Sequence, residues 1–151
     1  MNIFLALADR YLWFLALAAT VVYAYVLQAR FAALGAAHAE RAPGYERMLT
    51  WFTGLSGGLW VLMGAAIIAG GVPGVSAFLN PAAGGLWVIV WHGAFVGLLL
   101  GGAVWIFLRG GAQFLAEHPG LLPAWPPDAA AVKRVYGVVV ALALAAELMI
   151  W

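Results

Sequence analysis

The hydrophobic positions fall in long blocks separated by short segments rich in Gly, Pro and charge. Blocks of this kind match the bilayer, where a crossing helix needs about 20 predominantly apolar residues. Four are legible, at roughly 3–27, 49–70, 85–108 and 135–151. Together they predict one all-α domain over residues 1–151, a polytopic four-helix up-down bundle with both termini on one side.

The punctuation between blocks refines these bounds. Asp9 and Arg10 interrupt the first block, and its Ala-rich helical pattern continues past Gln28 to about Arg41. This reads as one long helix projecting beyond the bilayer, ended by Pro43 and Gly44. Gly70, Gly71, Pro73 and Gly74 terminate the second block. Asn80 followed by Pro81 signals the start of the third helix, since Asn caps free N–H groups and Pro suits the first turn. Arg109 closes that helix. Pro119, Pro123, Pro126 and Pro127 forbid one continuous helix in the next connection. Its Phe114, Leu115, Leu121, Leu122 and Trp125 place that connection on the membrane interface, and Asp128 is the expected cap of the fourth helix. The run Gly-Gly-Leu-Trp-Val occurs at Gly57–Val61 and again at Gly84–Val88. The flanking residues do not track each other, so this is read as coincidence in a chain rich in Gly, Leu and Trp rather than as a transporter's internal repeat.

Composition supports the membrane reading: 66% of the residues are hydrophobic and 9% charged. A soluble domain carries about 25% charged residues. There is no cysteine, which excludes disulfides, thiolate metal sites and thiol catalysis. The net charge of +1 gives no field for nucleic acid. The N-terminus lacks the basic leader and cleavage site of a signal peptide, so the first block is expected to persist as a helix.

Charge also orients the bundle. Arg30, Arg41 and Arg47 lie between the first two spans, and Arg109, Lys133 and Arg134 between the last two. The loop between spans two and three has no charge. By the positive-inside rule, loops 28–48 and 109–134 are cytoplasmic and the termini periplasmic or extracellular, in the inner membrane.

Ionisable residues at bilayer depth are costly and are functional candidates by default. Here they are Asp9, Arg10, His92 and Glu147. The topology puts all four in the outer half of the membrane, where an inward-facing arrangement makes one polar cluster. Asp9 and Arg10 also read as an interfacial anchor pair, and Glu147 as a terminal residue reaching outer water. His92 lies deeper. It reads as a structural hydrogen bonder, a heme or metal ligand, or a proton or quinone contact. A bis-His heme needs a second buried His, but His38 and His118 fall in the cytoplasmic connections. No metal site is assigned.

Gly93, Gly97 and Gly101 form a small-residue stripe on span three, and Gly54 and Gly58 repeat the spacing on span two. Such stripes let helix backbones approach closely, either within the chain or against another subunit. His92 borders the stripe, about 100° around the helix from Gly93. Trp87 and Trp91 near the outer boundary, and Trp51, Trp105, Trp125 and Tyr136 near the inner one, read as interfacial anchors. No zinc-protease motif, phosphate-binding loop or nucleophile elbow is present.

Arg10-Tyr-Leu-Trp13, Leu49-Thr-Trp-Phe52, and Val104-Trp105 with Gln113 give the chain a resemblance, over most of its length, to the four-helix membrane domain of bacterial urate-oxidase-type and copper-resistance-D-like proteins. The resemblance implies a four-helix membrane domain, in a family some of whose members are linked to heme. Trp13 stands where those proteins typically carry a His, and no functional residue is carried over.

Three functions are expected on these grounds. The first is a non-catalytic membrane subunit packed in a larger complex, of electron transfer or photosynthesis, with lipid and other subunits or its own copies as partners. The second is a heme- or quinone-linked redox protein using His92. The third is an oligomeric transporter of ions or small solutes with His92 and Glu147 in its pathway.

Overall fold

A computed structural model describes residues 3–120 and 128–151. The chain forms α1 (Ile3–Ala37), α2 (Ala42–Ile68), α3 (Gly85–Leu108), α4 (Gly111–Glu117) and α5 (Ala129–Ile150). All but α4 are long and apolar enough to cross a membrane, and no strand occurs among the described residues. The architecture is the expected all-α four-helix bundle. Helices α1 and α2 pack closely along each other, and α3 touches both α2 and α5 more sparsely.

Helix boundaries show how local chemistry acts. Span three runs over the residues expected from its hydropathy. The first helix, by contrast, stops at Ala37, and a 3₁₀ turn at Ala39–Arg41 leads directly into α2. Pro43 therefore opens α2 rather than ending α1: it occupies the first turn, where its missing N–H costs nothing. Gly35 permits the tight reversal, since a Cβ there would stand 3.2 Å from Cβ of Ala42. Asn80–Pro81 is a second correction. Pro81 opens a short 3₁₀ turn, Pro81–Ala83, the Asn80 side chain makes no cap bond, and α3 starts at Gly85 with φ +69°. That φ favours glycine and separates the second Gly-Gly-Leu-Trp-Val from the first, which lies inside α2. Asp128 caps α5 as expected, its Oδ1 accepting from Ala131 N–H at 2.7 Å. With this cap α5 begins at Ala129, some residues before the apolar block itself.

The buried side chains gather at the two ends of the bundle. At the end carrying the basic connections, Leu27, Phe31, Tyr45, Met48, Ile106 and Val132 form one cluster with Leu115 of α4. Helix α4 thus packs into the bundle rather than resting on its surface; Leu121, Leu122 and Trp125 lie outside the described residues. His118 ties α4 down. Its Nδ1–H donates to the Phe114 carbonyl at 2.8 Å, and its ring packs edge-on to Tyr45. The ring lies so close to Gly44 that a Cβ there would collide with it. At the opposite end Met63, Ala66, Ile67, Val72, Phe78 and Val88 make a second cluster under the α2–α3 loop. Exposed side chains such as Val22, Val61, Leu100 and Val139 form the lipid-facing belt between them.

Two close approaches hold helices side by side. Trp13 of α1 lies against Gly64 of α2, and Tyr136 of α5 against Gly102 of α3, in each case where a Cβ would overlap the ring or its hydroxyl. Tyr136 then donates to the Leu99 carbonyl at 3.1 Å. Gly64→Leu is expected to cost about 1–3 kcal/mol by overpacking against Trp13. A thermal unfolding curve in detergent, followed by circular dichroism, measures it; an unchanged midpoint contradicts the close packing.

Candidate functional site

The polar groups near the terminal end converge on the α2–α3 loop. His92, in the second turn of α3, is 3% exposed, and Glu147, in the last turn of α5, is 8% exposed. His92 Nδ1 is 2.8 Å from Glu147 Oε2, and Nε2 is 2.8 Å from the Phe78 carbonyl oxygen in the loop. A carbonyl only accepts, so Nε2 carries a hydrogen. The Nδ1–Glu147 bond then has two forms: an acid O–H donating to neutral imidazole, or an imidazolium N–H donating to carboxylate. In both, the pair shares one proton and carries no net charge, which is the arrangement least costly in hydrocarbon.

Asp9 grips the same loop from α1. Its Oδ1 accepts from Ser76 N–H at 2.6 Å, two residues from Phe78. Gly74 makes room, since a Cβ there would meet the Asp9 carboxylate. Three of the four expected members of the cluster therefore act on one loop, but only His92 and Glu147 touch. Arg10 is exposed and is not ion-paired among the described residues, so Asp9 pairs with backbone and not with its neighbour. Glu147 turns inward to His92 and does not serve as a solvated terminal group.

An aromatic wall completes the site. Trp91 and Trp151 present edges to His92, with centroids 5.0 and 5.9 Å away. Trp91 is more than an interfacial anchor, because its indole N–H donates to the Leu59 carbonyl of α2 at 3.0 Å. Neither Ser76 N–H nor the Phe78 carbonyl carries any mark in the sequence, because every residue type offers the same backbone groups.

This geometry limits the chemistry. Both ring nitrogens of His92 are engaged, so none is free for heme iron or for a quinone oxygen. A heme ligand at His92 does not fit the site as it is bonded. No group of three metal-ligating side chains occurs among the described residues. His38 and His118 lie at the opposite end, His118 in the bundle and His38 3.7 Å from Glu40.

The glycine stripes do not pack within the chain. A Cβ added at Gly54, Gly58, Gly93, Gly97 or Gly101 would meet nothing within 4 Å. Gly97 and Gly101 line an open, mostly apolar groove of about 630 Å³ between α2 and α3 at the basic end. Gly54 and Gly58 lie on another face of α2 and are exposed. Comparison with protein families, characterised proteins and solved structures finds no match to this chain.

Glu147→Gln keeps a side chain able to donate to Nδ1, whereas Glu147→Leu leaves that nitrogen unpaired. The leucine variant is expected to lose about 1–3 kcal/mol, the usual cost of an unsatisfied buried polar group. Hydrogen exchange across residues 70–84 should accelerate in Glu147→Leu and stay near wild type in Glu147→Gln. Equal exchange in the two variants would remove His92–Glu147 as the clasp on the loop.

Proposed function

We propose that this chain is a non-catalytic subunit of a larger assembly in the inner membrane, docking through the free face of α2. The carrying observation is a row of exposed small residues with no partner in the chain. Thr50, Gly54, Gly58, Val61 and Ala65 recur at helical spacing and are all exposed. The row spans fifteen helical steps, about 22 Å at helical rise. Thr50 returns its hydroxyl to the Glu46 carbonyl at 3.0 Å, so it adds no unsatisfied donor to the face. Lipid supplies no hydrophobic drive for helix association, and close backbone packing over small residues takes its place.

The use made of the ionisable residues favours the same reading. His92, Glu147 and Asp9 are spent on anchoring the α2–α3 loop. A transport pathway needs such groups to exchange partners, and a redox site needs a free ligand. The basic residues supply the orientation: the α1–α2 connection with its flanking helix ends (28–48) and the α3–α5 connection with the start of α5 (109–134) face the cytoplasm, and the termini the outside.

Gently solubilised protein should migrate as part of a larger complex. Gly54→Leu and Gly58→Leu should each reduce co-purification of the partner about tenfold, the effect of a helix contact of about 1–2 kcal/mol. Helicity should not change, since both positions are open. A stable, monodisperse wild-type monomer in mild detergent would refute the subunit reading. The absence of cysteine makes orientation directly readable. A cysteine introduced at Ser76 should be labelled in intact cells by a membrane-impermeant maleimide and one at Ala39 should not; the reverse pattern inverts the topology.

A further inference from the structure

The groove beside Gly97 and Gly101 has a depth, a lining and cationic neighbours along the chain that together specify an occupant. On α2 it runs from Met48 to Ser56 and on α3 from Gly97 to Ile106. The two stretches cover eight and nine helical steps, about 12–14 Å. One leaflet of hydrocarbon is about 15 Å deep, half of a core of about 30 Å. The groove therefore matches an acyl chain entering from one side, while a transmembrane helix would need twice that length. Its volume of about 630 Å³ lies in the range of ligand sites, ~300–1,000 Å³. The Tyr136 hydroxyl at its wall is already bonded to Leu99, so it makes no demand on an occupant.

The chain around the basic end of the groove is cationic. By helical register Arg47 lies one turn before Trp51, Arg109 one turn after Trp105 and Lys133 one turn before Tyr136; all three are exposed, and Leu115 of α4 lines the groove at the same end. Among the described residues none of the three is ion-paired. Glu117 at the same end holds the Gln113 amide at 2.8 Å, and Glu40 lies 3.7 Å from Arg41. Trp51 and Trp105 meet edge to face, with centroids 5.0 Å apart, at the level where indoles favour the headgroup boundary.

We propose that this groove binds one anionic phospholipid from the leaflet on the basic side, an acyl chain lying over Gly97 and Gly101 and the phosphate set among Arg47, Arg109 and Lys133. The glycines keep the space open, and the cations select the headgroup.

The test uses the full chain reconstituted in vesicles of equal parts phosphatidylglycerol and phosphatidylcholine, extracted in mild detergent and weighed by native mass spectrometry. Retained phosphatidylglycerol should exceed phosphatidylcholine about tenfold, a bias that three surface cations readily supply. Gly97→Leu/Gly101→Leu should lose the retained lipid. Arg47→Gln/Arg109→Gln/Lys133→Gln should keep a lipid but lose the headgroup bias. Quenching by phosphatidylglycerol with brominated acyl chains locates the site independently of the glycine variants. It should exceed that by brominated phosphatidylcholine, and the excess should vanish in Trp51→Phe/Trp105→Phe. Equal retention of the two lipids by the unchanged protein overturns the proposal, as does retention that survives filling the groove in a folded variant. A second protein chain in place of lipid in the weighed particle also overturns it.

Discussion

A helix in hydrocarbon satisfies its own backbone, and its apolar surface gains nothing by leaving lipid for protein. That constraint governs where this bundle spends its specific contacts. Burying Leu against Leu does not hold α3 to α5, but a phenol donating to a backbone carbonyl over a glycine does. Tyr136, Gly102 and Leu99 form such a contact, and Trp91 with the Leu59 carbonyl forms another. Away from these ties the side chains of the belt stay exposed to lipid. The two apolar clusters sit at the ends, where connections fold back and water is near enough to drive burial.

The same constraint explains why the terminal-end loop is built on ionisable side chains. Residues between α2 and α3 form short 3₁₀ turns whose backbone groups are only partly paired within the turn. Unpaired backbone groups near hydrocarbon are expensive. Asp9 takes Ser76 N–H, and His92 gives a hydrogen to the Phe78 carbonyl. Glu147 in turn satisfies the second imidazole nitrogen, so α1, α3 and α5 all close on one loop. A single proton shared between His92 and Glu147 leaves that pair without net charge. These intramembrane ionisable groups, costly in hydrocarbon, are thus each engaged, Asp9 and His92 with the loop backbone and Glu147 with His92.

Much of the fold was legible because hydropathy blocks and bilayer thickness describe the same physics. Span three and the Asp128 cap follow from local sequence alone. The errors arose at prolines, whose rigid φ suits a helix start as well as it enforces a stop: Pro43 opens α2 and Pro81 opens a 3₁₀ turn. Tertiary facts were less accessible. His92 and Glu147 were each visible as polar groups at similar depth, but no spacing rule links residues 55 apart. The partners of Asp9 and of His92 Nε2 are backbone atoms, which have no sequence signature. The glycine stripe was visible, but not whether it faced a neighbour, lipid or a groove.

That last distinction separates glycines of equal appearance. Gly102 and Gly64 are required by what lies against them, since a Cβ would overlap Tyr136 or Trp13. Gly97 and Gly101 have open space over them. In a water-soluble helix each such glycine costs about 0.5–1 kcal/mol relative to alanine, and a side chain here would add packing to a sparsely filled bundle. Internal stability therefore gives no reason for glycine at these two positions. The reason lies in the space itself, a leaflet-deep slot between α2 and α3 that side chains would close. The slot stays open beside the basic-end cluster, whose Met48, Ile106 and Leu115 form part of its wall.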